Sequence, residues 1–325
     1  MDTTNQTIRW GIIGCGNVTE VKSGPAYQKV KNFKLAAVMR RNEALAKDYA
    51  QRHGVEKYYA NADDLINDPD IDAVYIATPP DSHKEYAVKV AQAGKICCVE
   101  KPLAPSLQDS QAILDAFKAA DVPLFVAYYR RSLPRFTKVK YLIDSGKIGK
   151  VRHISWSLYK STSELDLSKQ YNWRTDKKVA LGGYFDDLAS HGLDLFAYLL
   201  GDYHKVSGMG NNQQDLYTAF DTVTACWQHK TGVTGTGNWN FGSYSNSDKV
   251  SIVGSKGELN FSVFDETSIK IKTATSESKI FIEHPENVQL HHVENMQKHL
   301  LHGEQHPSSG ETATHTSWVM DQILL

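Results

Sequence analysis

Over roughly the first 127 residues, short apolar runs alternate with amphipathic stretches. Residues 8–13, 34–39, 73–77, 96–99 and 124–127 are apolar without a polar alternation, the mark of strands buried on both faces of a parallel sheet. Between them, 43–53, 82–93 and 106–120 carry apolar residues at three- and four-residue spacings, and Gly54 and Gly94 stand where helices would stop. That order predicts a doubly wound α/β domain. From about residue 151 the period shortens to two: 152–159, 222–228, 231–239 and 249–253 alternate apolar residues with Ser, Thr, Tyr and Trp. An antiparallel sheet is predicted there, interrupted by a helix over 183–200 and followed by another over 288–301. The expectation is two domains, residues 1–126 and an α+β domain of residues 127–325 with a large, mostly antiparallel open sheet, joined somewhere in 127–149.

Composition narrows the class of ligand. The chain has 325 residues, 41% hydrophobic and 22% charged, enough to bury a core in two domains. Its 36 Lys and Arg nearly cancel 37 Asp and Glu, so no overall field draws it to nucleic acid or anionic lipid, and a small-molecule ligand is expected. No apolar run reaches the ~18 residues of a membrane span, and residues 1–10 are polar, with no leader-like apolar stretch. No membrane partner and a cytoplasmic location are expected. Cys15, Cys97, Cys98 and Cys226 show no metal-ligand spacing and read as reduced core thiols, with Cys97 and Cys98 on opposite faces of one strand. His291, His292, His299, His302 and His306 crowd one segment, but no Cys or carboxylate completes a ligand set, so no metal site is expected.

The first run ends in Gly11-Ile-Ile-Gly14-Cys15-Gly16-Asn17-Val18-Thr19. Close glycines let a backbone turn tightly and approach a pyrophosphate at the start of the next helix, although Thr19 stands at the third glycine position. Where the second strand ends, an Asp or Glu would bind the ribose 2′-hydroxyl of NAD; the chain has Met39-Arg40-Arg41-Asn42 instead. Two guanidiniums suit a 2′-phosphate and can stack on adenine, which favours NADP(H) over NAD(H). Ala77-Thr78-Pro79-Pro80-Asp81-Ser82-His83 and Glu100-Lys101-Pro102 follow later strands, at the edge where an open parallel sheet binds its ligand. In the second half, Trp173-Arg174 precedes Gly182-Gly183-Tyr184-Phe185-Asp186-Asp187, and His191 follows one helical turn after Asp187, on the same face.

Taken together with Tyr129-Arg130-Arg131, Val253-Gly254-Ser255-Lys256-Gly257 and Gly310-Glu311-Thr312-Ala313, these motifs resemble the Gfo/Idh/MocA oxidoreductases along almost the whole chain. The resemblance implies an N-terminal Rossmann domain, a C-terminal domain with an open sheet, and NAD(P)-linked oxidation or reduction of sugars, polyols or related alcohols. It implies a catalytic role for Lys101, Asp187 and His191, and a second subunit against the open sheet, as homodimer or homotetramer. Gly14, Cys15, Gly16, Asn17, Val18, Arg40, Arg41, Ala77, Thr78, Pro79, His83, Glu100 and Lys101 are the expected cofactor residues. Tyr129, Trp173 and Arg174 join Asp187 and His191 as expected substrate residues.

The chemistry expected is hydride transfer at nicotinamide C4, with the substrate between the nicotinamide and the 183–200 helix. His191 is assigned as base and Lys101 as stabiliser of the alkoxide, although the two can exchange roles. Two rivals stay open: a non-catalytic NADP-binding sensor, and a glycosidase that recycles a tightly bound NAD. The presence of Lys101 and His191 argues against the first, and Arg40 with Arg41 against the second.

Overall fold

The structure, a computed structural model, describes residues 6–325; residues 1–5, the head of the first expected domain and of the polar start, lie outside the described residues. Two compact units result. The first runs to Leu133 and adds Pro285–Thr314; the second is Pro134–His284 with His315–Leu325. Compared with a single cut after residue 126, the first unit extends seven residues further and takes back a segment from the far end of the chain.

The first unit is built on six parallel strands: β1 (Ile8–Ile13), β2 (Phe33–Met39), β3 (Lys57–Tyr59), β4 (Ala73–Ile76), β5 (Ile96–Val99) and β6 (Leu124–Val126), in the order β3-β2-β1-β4-β5-β6. Both faces are covered. On one, Ile13, Val74 and Cys97 pack with Leu65, Val90 and Phe117 of the helices Ala62–Asn67, His83–Gln92 and Leu107–Ala120. On the other, Trp10, Val38 and Cys98 pack with Tyr27, Tyr49, Val293 and Met296. Adjacent Cys97 and Cys98 thus enter opposite cores. Val293 and Met296 also explain why Pro285–Thr314 belongs here: the apolar stripe of the helix Leu290–His302 fills the face beside β1 and β5. Helix starts follow the sequence, with Asn42 accepting from Leu45 N at 3.2 Å and Ser106 from Asp109 N at 3.1 Å.

The second unit carries eight strands, β7 (Val151–Tyr159), β8 (Tyr203–Asn211), β9 (Thr222–His229), β10 (Thr234–Asn240), β11 (Ser247–Gly254), β12 (Gly257–Phe261), β13 (Ile269–Thr273) and β14 (Glu277–Ile280). Their order is β14-β13-β12-β11-β7-β10-β9-β8, antiparallel except for the β7–β10 pair. One face turns Trp156, Trp227 and Trp239 toward Phe185 and Phe196 of the helix Tyr184–Leu200. The other face presents Ser155, Ser157, Thr224, Thr234, Thr236 and Asn238, so the open side is polar along these strands. Cys226 also lies on this side and is exposed, unlike the other three thiols. Among the described residues no helix is long and apolar enough to cross a membrane.

Candidate functional site

β1 and β4 are neighbours, yet the chain leaves them toward opposite faces of the sheet. This is the switch point at which open α/β sheets bind ligands. A cleft of about 390 Å³ opens there, lined by Gly14, Cys15 and Gly16 after β1, Met39 to Asn42 after β2, Ala77 to Pro79 after β4, and by Leu45 and Tyr86. Gly14 makes the turn possible. Its φ is +91°, and a Cβ would lie 2.8 Å from Thr78 Cγ2 and 3.0 Å from the Ala77 carbonyl oxygen. At Gly16 a Cβ would meet nothing nearer than the Gly14 oxygen at 3.8 Å, so the backbone stands open to the cleft. Thr19 turns away: it is fully buried, with Oγ1 donating to the Gly16 carbonyl at 2.8 Å and its own carbonyl accepting from Tyr49 Oη at 2.8 Å. Asn17 and Val18 open the short helix Asn17–Val21 and do not line the cleft.

At the cleft mouth Arg40 and Arg41 are exposed, and Arg40 Nη1 reaches back to the Cys15 carbonyl at 3.5 Å. Among the described residues no carboxylate lines the cleft. A tight glycine turn and an open backbone at Gly16 fit the pyrophosphate of a nicotinamide dinucleotide, and two guanidiniums stand at the mouth of the same cleft.

Behind this cleft the loops are tied together. His83 is fully buried; its Nε2 lies 2.9 Å from the Thr78 carbonyl, and its Nδ1 lies 3.0 and 3.2 Å from the carbonyls of Pro102 and Leu103. Burial lowers its pKa, and the ring joins the loop after β4 to the one after β5. Glu100 is also buried, with Oε1 accepting from Tyr75 Oη and Gln289 Nε2 and Oε2 from Lys101 N. His83 and Glu100 therefore brace loops and present no group to the cleft. Lys101 is half-buried at the carboxyl end of β5, before a cis peptide to Pro102. Tyr129 begins the turn Tyr129–Ser132 after β6, with Arg130 over its ring at 5.0 Å.

In the second unit, Gly183 opens the helix Tyr184–Leu200. Its φ of +64° and ψ of −130° are a glycine conformation, and a Cβ would lie 2.6 Å from the Phe220 carbonyl oxygen. That start sets Asp187 and His191 one turn apart on the same face. Arg174 Nε donates to Asp187 Oδ2 at 2.6 Å, while its guanidinium stacks on Trp173 at 4.3 Å. His191 is buried, edge-on to Phe264 at 5.8 Å. The turn bearing Trp173 and Arg174 is held by Asn172, which accepts from Arg174 N and donates to Tyr184 Oη; that hydroxyl donates to Asp166 at 2.7 Å. Within this unit the structure thus brings Trp173, Arg174 and Asp187 together.

Several residues here lacked a local signal. Leu45 and Tyr86 line the cleft from the first turns of their helices, and Tyr75 and Gln289 reach Glu100 from 25 and 189 residues away. The histidine-rich segment disperses. His291 pairs with Glu294, His299 faces the Glu304 carbonyl, and His292 and His306 stack edge-on in the interior. Among the described residues no group of three His, Cys, Asp or Glu is arranged to hold a metal.

Comparison with known proteins follows the same division. Residues 8–128 match the model of an oxidoreductase family with an NAD-binding Rossmann fold, and residues 136–260 match the GFO/IDH/MocA C-terminal domain. Oxidoreductase P35 of Formosa agariphila is 38% identical over 315 residues, 97% of each chain. Myo-inositol 2-dehydrogenase of Thermotoga maritima is 26% identical over 315 residues, 94% of this chain and 91% of that one. Among solved structures, a levoglucosan dehydrogenase in complex with NADH superposes with a TM-score of 0.87 at 24% identity, covering 98% of this chain and 96% of the other, a likeness of fold.

Proposed function

The chain belongs to the GFO/IDH/MocA oxidoreductase family, and on that premise we propose that it moves a hydride between NADP(H) and a secondary alcohol or carbonyl of a sugar or polyol. It is an NAD(P)-dependent oxidoreductase acting on CH–OH groups. The observation that carries the cofactor preference is the pair Arg40 and Arg41 at the mouth of the glycine cleft, where NAD would call for a carboxylate. NAD(H) is the weaker alternative.

When bound, the dinucleotide supplies a nicotinamide C4 that accepts or delivers hydride. In the oxidation direction the C–H and O–H bonds of the alcohol break and C=O forms, so the hydroxyl proton needs an acceptor within about 3 Å. The His191 imidazole takes it and returns it in reduction. The Lys101 ammonium, at the carboxyl edge of the first unit's sheet, stabilises charge as alkoxide character develops. Asp187, braced by Arg174, accepts a hydrogen bond from a neighbouring substrate hydroxyl, and the Trp173 ring offers an apolar face to sugar C–H groups.

Titrating the protein with NADPH and NADH by fluorescence, then adding aldoses, ketoses, inososes and diols while reading absorbance at the nicotinamide band, tests this. Tighter binding of NADPH and substrate-dependent absorbance change are expected. Binding without turnover across the panel would reject hydride transfer to an external substrate, and equal binding of both dinucleotides would reject the 2′-phosphate assignment.

A further inference from the structure

Glu100 is a buried carboxylate immediately before Lys101, and its three hydrogen bonds come from three separate parts of the chain. Tyr75 Oη donates to Oε1 at 2.5 Å from β4, Gln289 Nε2 donates to the same oxygen at 2.7 Å, and Lys101 N donates to Oε2 at 3.1 Å. Gln289 is 2% exposed and belongs to the segment that rejoins the first unit after the whole strand region of the second. The same segment grips the helix after the glycine turn. Asn287 Nδ2 donates to the Val21 carbonyl at 2.6 Å and Gln289 N to the Lys22 carbonyl at 3.2 Å, satisfying acceptors that the end of a helix leaves open. Residues 287–289 thus connect the far end of the helix that follows the glycine turn with the carboxylate that accepts from Lys101 N.

We propose that Gln289 is a positioning residue for Lys101: its side-chain amide fixes the Glu100 carboxylate, and the carboxylate fixes the backbone from which the lysine projects. This rests on the catalytic role proposed for Lys101. A primary amide suits the task because it donates to a carboxylate at any pH without adding charge. Orientation is dictated too, since the opposite rotamer would set two oxygens against each other. The other titratable groups that feel this carboxylate are Tyr75, Tyr27 and Cys98, which burial keeps neutral, and His83, whose pKa burial lowers. None of them can replace the lost donor without moving.

Two variants of the full chain test the proposal, Gln289→Leu and Gln289→Glu, each with its melting temperature and NADPH affinity measured. In Gln289→Leu, kcat should fall about tenfold or more while KM and NADPH affinity stay within about twofold. In parallel, the rate at which acetic anhydride acylates Lys101, read by peptide mass spectrometry at fixed pH, should change by about threefold or more. In Gln289→Glu a shared proton can restore the hydrogen bond to Glu100, so turnover relative to the parent should recover as pH falls and drop as pH rises. If Gln289→Leu does not fold, the isosteric Gln289→Glu variant decides. Parental kcat and an unchanged Lys101 acylation rate would overturn the proposal, as would losses of kcat and NADPH affinity in equal measure, which mark general damage to the cofactor site. A parent protein that turns over no alcohol or carbonyl refutes the proposed function instead, and the acylation rates still decide the role of Gln289.

Discussion

Arg174 donates from Nε to Asp187 Oδ2 at 2.6 Å while its guanidinium lies 4.3 Å from the Trp173 ring, so one side chain orients an acid and supports an aromatic face. The pair is partly exposed, which makes it a weak contributor to stability and a strong one to geometry. Arg174→Leu is expected to lower kcat/KM by about ten- to a hundredfold with a melting temperature close to the parent. Arg174→Lys should recover little, because a lysine ammonium reproduces neither the planar stack nor the fixed N–H direction. Steady-state kinetics beside a thermal melt checks this; a parallel loss of melting temperature and activity would mark Arg174 as merely structural.

Arg40 and Arg41 are the basis for NADP(H), and they can be separated from general cofactor affinity. The double change to Ala should weaken NADPH binding by about ten- to a hundredfold and NADH binding by less than about threefold, because only the first ligand carries the 2′-phosphate. Raising salt should weaken NADPH binding in the parent far more than in the variant, since a phosphate–guanidinium contact at an exposed site is screened. Equal losses for both dinucleotides would reject the assignment.

Gly14 and Gly16 make a paired test of the cradle. Alanine at Gly14 meets Thr78 and Ala77 and must adopt a φ of +91°, so Gly14→Ala should destabilise the protein by about 1–3 kcal/mol as well as weaken dinucleotide binding. Alanine at Gly16 meets no protein atom closer than 3.8 Å, so Gly16→Ala should leave the denaturation midpoint nearly unchanged and weaken only the dinucleotide. Urea melts with and without NADPH distinguish the two.

The apolar runs sufficed to place the first-unit strands because those strands are buried on both faces, where no polar residue interrupts the run. β3 escaped, being three residues long at an exposed edge. That the glycine turn, Arg40 and Arg41 would meet at one sheet edge was legible because backbone conformation and charge are local properties. Gln289 and Tyr75 were not, since nothing in the sequence around residue 289 reports a carboxylate 189 residues earlier. The domain cut shows the same limit. The stripe of Val293 and Met296 predicts a helix with one apolar face, but which sheet it covers is a tertiary choice. On the second sheet, period-two alternation was visible in β7 and β9, yet it fixes only which side is apolar, and the polar outer face follows from the same alternation read to its other side.

Asp186 sits in the first turn of the helix that carries Asp187, and its Oδ2 accepts from Gly182 N at 3.0 Å. Burial, with Asp321 and Asp187 nearby, pushes its carboxyl up to about 7. A folded pKa above the unfolded value of 3.8 means the native state holds the proton longer, so stability is full below about pH 4 and is lost as pH rises toward about 7. Asp186→Asn keeps the acceptor for Gly182 and removes the titration. It should stabilise the protein by on the order of 1–2 kcal/mol at about pH 8 and hardly at all at about pH 4. Urea denaturation at both pH values measures it, and an equal effect at both would show that charge is not the cause.

Buried histidines act in the opposite direction. Burial depresses the pKa of His83 and His292, and brings His229 and His306 to about 4 from an ordinary 6.5. The unfolded chain therefore binds protons that the native state refuses, and stability present above about pH 6.5 is lost as pH falls toward about 4, by up to about 3 kcal/mol for each of His229 and His306. His292 is the site at which to prove the cause. Its Nδ1 has no hydrogen-bond partner among the described residues, and its Nε2 faces only the Cys98 sulfur at 3.7 Å, so a neutral apolar replacement forfeits little. His292→Leu should cost less than about 1 kcal/mol at pH 7, and the fall in stability between about pH 6.5 and pH 4.5 should be visibly shallower than in the parent. If the two proteins lose stability in parallel across that interval, His292 does not couple protonation to unfolding, and the acid sensitivity belongs to the other three.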